Sequence, residues 1–191
     1  MDSRASILVA SQRFSRWMKA CSLPLWCEKG MHPTVGGHYE SLSDGCTPDL
    51  ASDIRVRVQA RQSFSFAYAQ RLGWLSIDDN SAQRIIAFAE AGGCRDSASG
   101  VFRHLMNSNF EVIDDRIDLY NNAFFILAYS ELYRATQDPR YIESALRILE
   151  TLDGTLGSSV GGWLEGDYIV DARRQNPHMH MFEAFLAWYE A

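Results

Sequence analysis

The sequence predicts an all-α protein, an α/α toroid built from about three helical-hairpin repeats, and three observations predict it. A glycine-plus-aromatic turn recurs as Gly36-Gly37-His38-Tyr39-Glu40, Gly100-Val101-Phe102 and Gly161-Gly162-Trp163-Leu164-Glu165. The turns lie 64 and then 61 residues apart, with an amphipathic helical pattern on each side of every one. Helices alternate with long connections on one side and short ones on the other, as expected when hairpins stack side by side. The glycines permit positive φ in a tight turn, and the aromatic residue that follows can pack over a neighbouring helix.

Taken in order, Ile7, Phe14, Trp17, Met18 and Cys21 share one face, so residues 4–22 read as an amphipathic helix that Pro24 ends. A loop leads through Pro33 to the first glycine turn, and Asp44-Gly45 marks a short hairpin. The next helix is expected over roughly 52–72, stopped by Gly73, and another over 81–91, closed by Gly92-Gly93. Residues 100–117 read as irregular or extended. Asp118 then caps a strongly apolar helix, Leu119 to Ala135. Asp138-Pro139 opens the following one, expected to run to about Leu152 before Asp153-Gly154. Asn176-Pro177 opens the last helix by the same device.

All 191 residues are expected to form a single domain, with 47% hydrophobic residues supplying its core. At about 62 residues per unit the chain holds three units, whereas an α/α toroid closes with about six. The last helix carries apolar residues nearly all round and has no polar cap. The expectation is therefore the N-terminal half of an (α/α)6 barrel, with short β-hairpins in its loops and the C-terminal half missing.

A net charge of −6 without any lysine or arginine run argues against nucleic acid as a partner. No apolar run approaches the ~18–20 residues of a membrane span, and the apolar stretch from Ala5 to Ala10 is too short for a signal-peptide core. Cys21, Cys27, Cys46 and Cys94 show neither a CxxC pair nor zinc-ligand spacing, so no metal is expected and a reducing cytoplasm is the default.

If alternate helices line a ring, the polar residues on their inward faces are the candidates for chemistry. Arg57, Arg61, Ser65 and Tyr68 form one such stripe, at i, i+4, i+8 and i+11. Arg61 reads either as a paired structural arginine or as a fork of donors for sugar oxygens. Tyr120 lies near the start of its helix. Asn176, His180, Glu183 and Ala187 line one face of the last helix, where Asn176 also reads as a simple N-cap. His180 sits in the first turns, where an imidazole suits polar recognition or proton transfer. His178 points roughly 200° away from it, which argues against a joint metal site. Glu40, Glu165, Asp167 and Asp171 are loop acids, read as solvated surface, although a pair of them would be the signature of glycoside hydrolysis.

Four stretches together resemble the N-acylglucosamine 2-epimerase family: Gly36 to Leu42, Arg57-Val58-Gln59-Ala60-Arg61-Gln62, Asp118 to Phe124, and Arg174 to Ala184 with its Asn176-Pro177-His178-Met179-His180 core. The resemblance runs from about Leu25 to the end. It implies an (α/α)6 barrel and a sugar isomerase that needs no metal and no redox cofactor. In that chemistry a base removes the C2 proton of an open-chain aldose to give a cis-enediolate. Return of the proton to the other face of C2 epimerises, and return to C1 makes the ketose. By the same likeness Arg61, Tyr120, Asn176 and His180 contact the sugar. His180 would be an auxiliary catalytic group, the principal acid/base histidines lying in the second half of the barrel. Asn121 stands where many members carry an acid.

The expected partner is a small-molecule sugar, and the resemblance admits a homodimer or association through the open barrel edge. Two other readings compete: a different α/α-toroid enzyme, a glycoside hydrolase or lyase using acids such as Glu40 and Glu165, and a truncated, non-catalytic sugar-binding or assembly fragment.

Overall fold

In the computed structural model, residues 3–170 and 173–191 are described. Among the described residues seven α-helices follow in order: α1 (Ser3–Trp17), α2 (Leu23–Glu28), α3 (Arg57–Arg71), α4 (Ser81–Ala91), α5 (Leu119–Thr136), α6 (Arg140–Leu156) and α7 (Gln175–Glu190). Helices α3, α5 and α7 pack side by side as an inner layer, while α4 packs outside α3 and α6 outside α5. The long segments 29–56, 92–118 and 157–174 lie between hairpins, and the short ones join α3 to α4 and α5 to α6. This is the helix arrangement of an α/α toroid.

Sequence and position explain each layer. Helix α5 has inner neighbours on both sides and α6 behind it, so every residue from Asn121 to Leu132 is buried, which is why its sequence is apolar all round. Helix α6 packs chiefly on α5 and has one buried stripe: Tyr141, Ala145, Ile148, Leu152 and Leu156. Helix α7 buries only Pro177, Met181 and Ala184, leaving Phe182, Leu186 and Tyr189 exposed on the side away from α5.

Several boundaries differ from the sequence expectation, each for a physical reason. Pro24 does not end the first helix. A π turn, Met18–Ser22, carries the chain into α2, where Leu23 N–H reaches Met18 O and Pro24 falls in the first turn, needing no N–H partner. The apolar face of α1 is also not covered by the rest of the chain: Ile7, Phe14 and Trp17 are more than half exposed. The second expected helix starts at Arg57 rather than near residue 52, because Ile54–Arg55 forms strand β1. That strand pairs antiparallel with β2 (Leu105–Met106), which pairs in turn with β3 (Val112–Asp114). Helix α6 runs through Gly154 to Leu156, where complete burial of Leu156 outweighs the ~1 kcal/mol penalty of a helical glycine.

The repeat is closed the same way three times. Met31 bridges His38, Arg95 bridges Phe102 and Gly157 bridges Trp163. Gly36, Gly100 and Gly161 take φ of 86°, 81° and 92°, and at Gly100 a Cβ would also lie 2.9 Å from the Arg147 side chain. The aromatic residue of each turn packs on the inner helix that follows: His38 on Phe66, Phe102 flat against Phe125, Trp163 on Phe185.

A side chain on that same inner helix then holds the aromatic residue's peptide. Gln59 accepts from His38 N–H at 2.6 Å and donates to its carbonyl at 2.8 Å. Asn122 accepts from Phe102 N–H at 2.8 Å and donates to its carbonyl at 3.3 Å. In the third unit His178 Nε2 accepts from Trp163 N–H at 3.3 Å. Units are also stitched to one another, Val56 N–H donating to His104 O and Leu119 N–H to Glu165 O.

Candidate functional site

The three clamp residues set a common register on the inner helices. Two residues before Gln59, Asn122 and His178 come Arg57, Tyr120 and Asn176, and two residues after come Arg61, Phe124 and His180. On a helix, positions four apart share a face, so each inner helix offers one residue to an upper tier and one to a lower tier. The tiers touch. The Arg57 guanidinium lies 5.1 Å over the Tyr120 ring and Arg61 lies 5.2 Å over Phe124. His180 meets Tyr120 edge-on at 5.0 Å and Phe124 at 4.6 Å. Its Nδ1 is held 2.8 Å from Glu183 Oε2.

The whole upper tier lines one cleft of about 410 Å³, walled by Arg57, Tyr120, Asn176, His104, Arg116, Asp118, Tyr168, Arg174 and Pro177. Arg57, Tyr120 and Asn176 all stand in the first turn of their helices, so three positive dipole ends converge here. Of the four residues expected from sequence, Tyr120 and Asn176 line this cleft. His180 packs behind Tyr120. Arg61 faces a second cleft of about 310 Å³ with Trp26, Glu40, Arg55, Val58, Gln62 and Ser65.

Arg61 is exposed, and among the described residues neither it nor Arg57 has a carboxylate within salt-bridge distance. That removes the reading of Arg61 as a paired structural arginine. Burial and the neighbouring Arg55 lower the Arg57 pKa from its ordinary value, but a guanidinium remains charged.

Asn176 is not the N-cap. Helix α7 begins at Gln175 with Arg174 as its cap residue, since Glu165 accepts from Arg174 through both its backbone N–H and its guanidinium. The Asn176 side chain is thereby free to face the cleft. Nor are all the loop acids solvated. Glu165 is 1% exposed, and its hydrogen bonds with Arg174 hold its carboxyl below the usual range. Glu40 accepts from Arg55 at 2.6 Å and from its backbone N–H at 2.9 Å. Asp167 is exposed and accepts from Ile117 N–H, and Asp171 lies outside the described residues. Each of Glu40 and Glu165 is thus committed to an arginine two residues before an upper-tier position.

Sequence reasoning passed over His104, Arg116, Tyr168 and Arg174 as site residues. His104 stands two residues after Phe102, as Glu40 and Glu165 stand after His38 and Trp163, and the repeat register was the available signal. Its Nδ1 is buried without a hydrogen-bond partner. Burial is the largest influence on its pKa, lowering it against the pull of Asp118 and Asp114. Tyr168 donates to Asp118 Oδ2 at 2.5 Å. Burial and that carboxylate raise its pKa to about 12, keeping the phenol protonated. Asp118 Oδ1 caps α5 by accepting from Asn121 N–H at 2.8 Å.

His38 is fully buried between Trp26 and Phe66, and desolvation lowers its pKa as well. Unfolded histidine titrates near ~6.5, so on acidification the unfolded chain takes up protons before these two rings do. The stability their neutral forms contribute is complete above about pH 6.5 and falls as pH drops below it. Melting temperature measured from pH 7.5 to pH 5 is expected to fall, and His38→Gln is expected to flatten that slope. An unchanged slope in the variant would mean that His38 is not responsible.

A family model described as N-acylglucosamine 2-epimerase (GlcNAc 2-epimerase) matches residues 37–191. A protein of Rhizobium meliloti (strain 1021) named mannose-6-phosphate isomerase is 32% identical over 174 residues, which are 90% of this chain and 44% of that protein. A sugar epimerase from a ruminal bacterium superposes with a TM-score of 0.80 at 23% identity, over 94% of this chain and 49% of the other. Cellobiose 2-epimerase of Spirochaeta thermophila DSM 6192 gives 0.83 at 18% identity, over 100% and 51%. The chain therefore spans about half the length of the relatives it matches, and its fold is theirs. Among the described residues no helix is long and apolar enough to cross a membrane.

Proposed function

Since the chain belongs to the N-acylglucosamine 2-epimerase family, we propose that it forms three units of a six-unit barrel whose centre moves the C2 proton of a free aldose. The reaction is 2-epimerisation or aldose–ketose isomerisation. A base takes the C2 proton from the open-chain sugar, and the electron pair left on carbon delocalises onto the C1 oxygen as a cis-enediolate. The proton then returns to the opposite face of C2 or to C1.

The observation that carries this reading is the pair of tiers, Arg57–Tyr120–Asn176 above Arg61–Phe124–His180, on three adjacent inner helices. Enediolate charge needs donors already in place, and Arg61 offers a guanidinium without an acidic partner. Tyr120 and Asn176 supply hydroxyl and amide partners for sugar oxygens. His180, oriented by Glu183 and packed on two aromatic rings, is an auxiliary group, with the principal acid/base pair contributed by the remaining units. The commitment of Glu40 and Glu165 to arginines speaks against a carboxylate-pair hydrolase.

The test is proton exchange. D-mannose incubated in heavy water with the complete gene product is expected to exchange its C2 proton for deuterium, seen as loss of the C2 proton resonance. A product that folds, binds the sugar and leaves that proton in place would sink the reading.

A further inference from the structure

Although the molecule carries a net charge of −6, its 410 Å³ cleft is walled by three arginines and a histidine against one carboxylate. Two of the arginines are held from behind. Arg174 directs Nε and Nη2 at the buried Glu165, and Arg116 directs Nε and Nη2 at Asp114, its guanidinium also lying 5.3 Å over the Tyr168 ring. Neither Nη1 has a partner among the described residues. Arg57 has no ion pair among the described residues. Among the described residues the only acid in the wall is Asp118, and both its oxygens are occupied, by Asn121 N–H and by the Tyr168 hydroxyl. His104 adds a ring nitrogen buried without a partner. The result is a set of preoriented donors with free N–H groups that no described residue accepts from, at the meeting point of three helix N-termini.

We infer that this cleft holds the phosphate of a phosphorylated aldose. A phosphate monoester is a dianion with three terminal oxygens, matched by several guanidinium edges better than by one. Arg57, Arg116 and Arg174 would take those oxygens, with His104 as a further donor. Arg116 and Arg174 are exposed at the rim, so the phosphate end lies outward. The sugar then extends past Tyr120 toward His180 and Arg61. The volume suits a ligand of this size, since small-molecule sites run from roughly 300 to 1,000 Å³. This inference rests on the isomerase reading above and names its substrate class.

Calorimetric titration of the protein with mannose 6-phosphate, D-mannose and inorganic phosphate separates the two. Mannose 6-phosphate is expected to bind about tenfold or more tightly than D-mannose at low salt. The preference should collapse in Arg116→Gln with D-mannose affinity unchanged, and it should collapse again in Arg57→Gln. Both residues lie on the surface of the cleft and neither is a core contact, so the variants should keep the wild-type circular dichroism and melting temperature. Equal affinity for the two sugars overturns the phosphate assignment and leaves the isomerase reading standing. Inorganic phosphate binding as tightly as mannose 6-phosphate, with D-mannose not bound, overturns both.

Discussion

Asn122→Ala is expected to lower the unfolding free energy by about 2–4 kcal/mol, a large part of the ~5–15 kcal/mol a domain possesses. The amide makes three hydrogen bonds: it accepts from Phe102 N–H and donates to the carbonyls of Phe102 and Asp118. Both Asn122 and Phe102 are fully buried. Removing the amide orphans the buried Phe102 N–H, at about 1–3 kcal/mol, while the Phe102 carbonyl keeps Asn121 Nδ2 at 3.2 Å. The glycine turn that shapes one wall of the cleft loses its tether to α5 at the same time. Urea denaturation would measure the loss. The repeat register also predicts an order: Gln59→Ala should cost about as much, since its two bonds are equally buried, and His178→Ala less, since it makes one longer bond. A loss below about 1 kcal/mol for Asn122→Ala, or His178 proving the costliest, would contradict the clamp.

Arg61→Ala is expected to reduce kcat/KM of the complete gene product for C2 proton exchange by about 10²–10³, the range for deleting one donor to a developing oxyanion. The side chain has no ion pair among the described residues and is exposed, its guanidinium over Phe124, so stability should barely change. Arg61→Lys keeps the charge but not the planar fork, and a partial recovery is expected. Exchange rates within a factor of two of wild type in Arg61→Ala would remove Arg61 from the reaction. The companion measurement is the melting temperature, which separates a lost chemical contact from a lost fold.

Much of this molecule was legible in its sequence because the same local problem is solved three times. Helices α4 and α5 begin and end close to where capping residues and glycines place them, and Asp118 caps α5 as its residue type and position indicate. The inward stripes on α3, α5 and α7 contain the residues that meet. What misled was local punctuation overruled by tertiary contacts: Pro24 absorbed by a π turn, Gly154 carried inside a helix by a buried leucine, and residues 54–55 drawn into a sheet with residues fifty positions away. The competing N-cap reading of Asn176 fails because Arg174 takes the cap position, held by Glu165 from across a loop.

The sequence by itself determined the helical units, their period and the inner faces, because spacing of apolar residues and turn chemistry act within a few residues of the chain. Only the tertiary structure decided which charges are free. Glu40 and Glu165 looked like solvated acids and proved to be bound to arginines. Arg61 was a candidate for pairing, yet among the described residues neither it nor Arg57 has an acidic partner, and His104 was marked only by the repeat register. Whether a charge is neutralised depends on what lies within about 4 Å in space, a distance that sequence separation does not constrain, and that is why the cleft's cationic character appears only once the units are stacked.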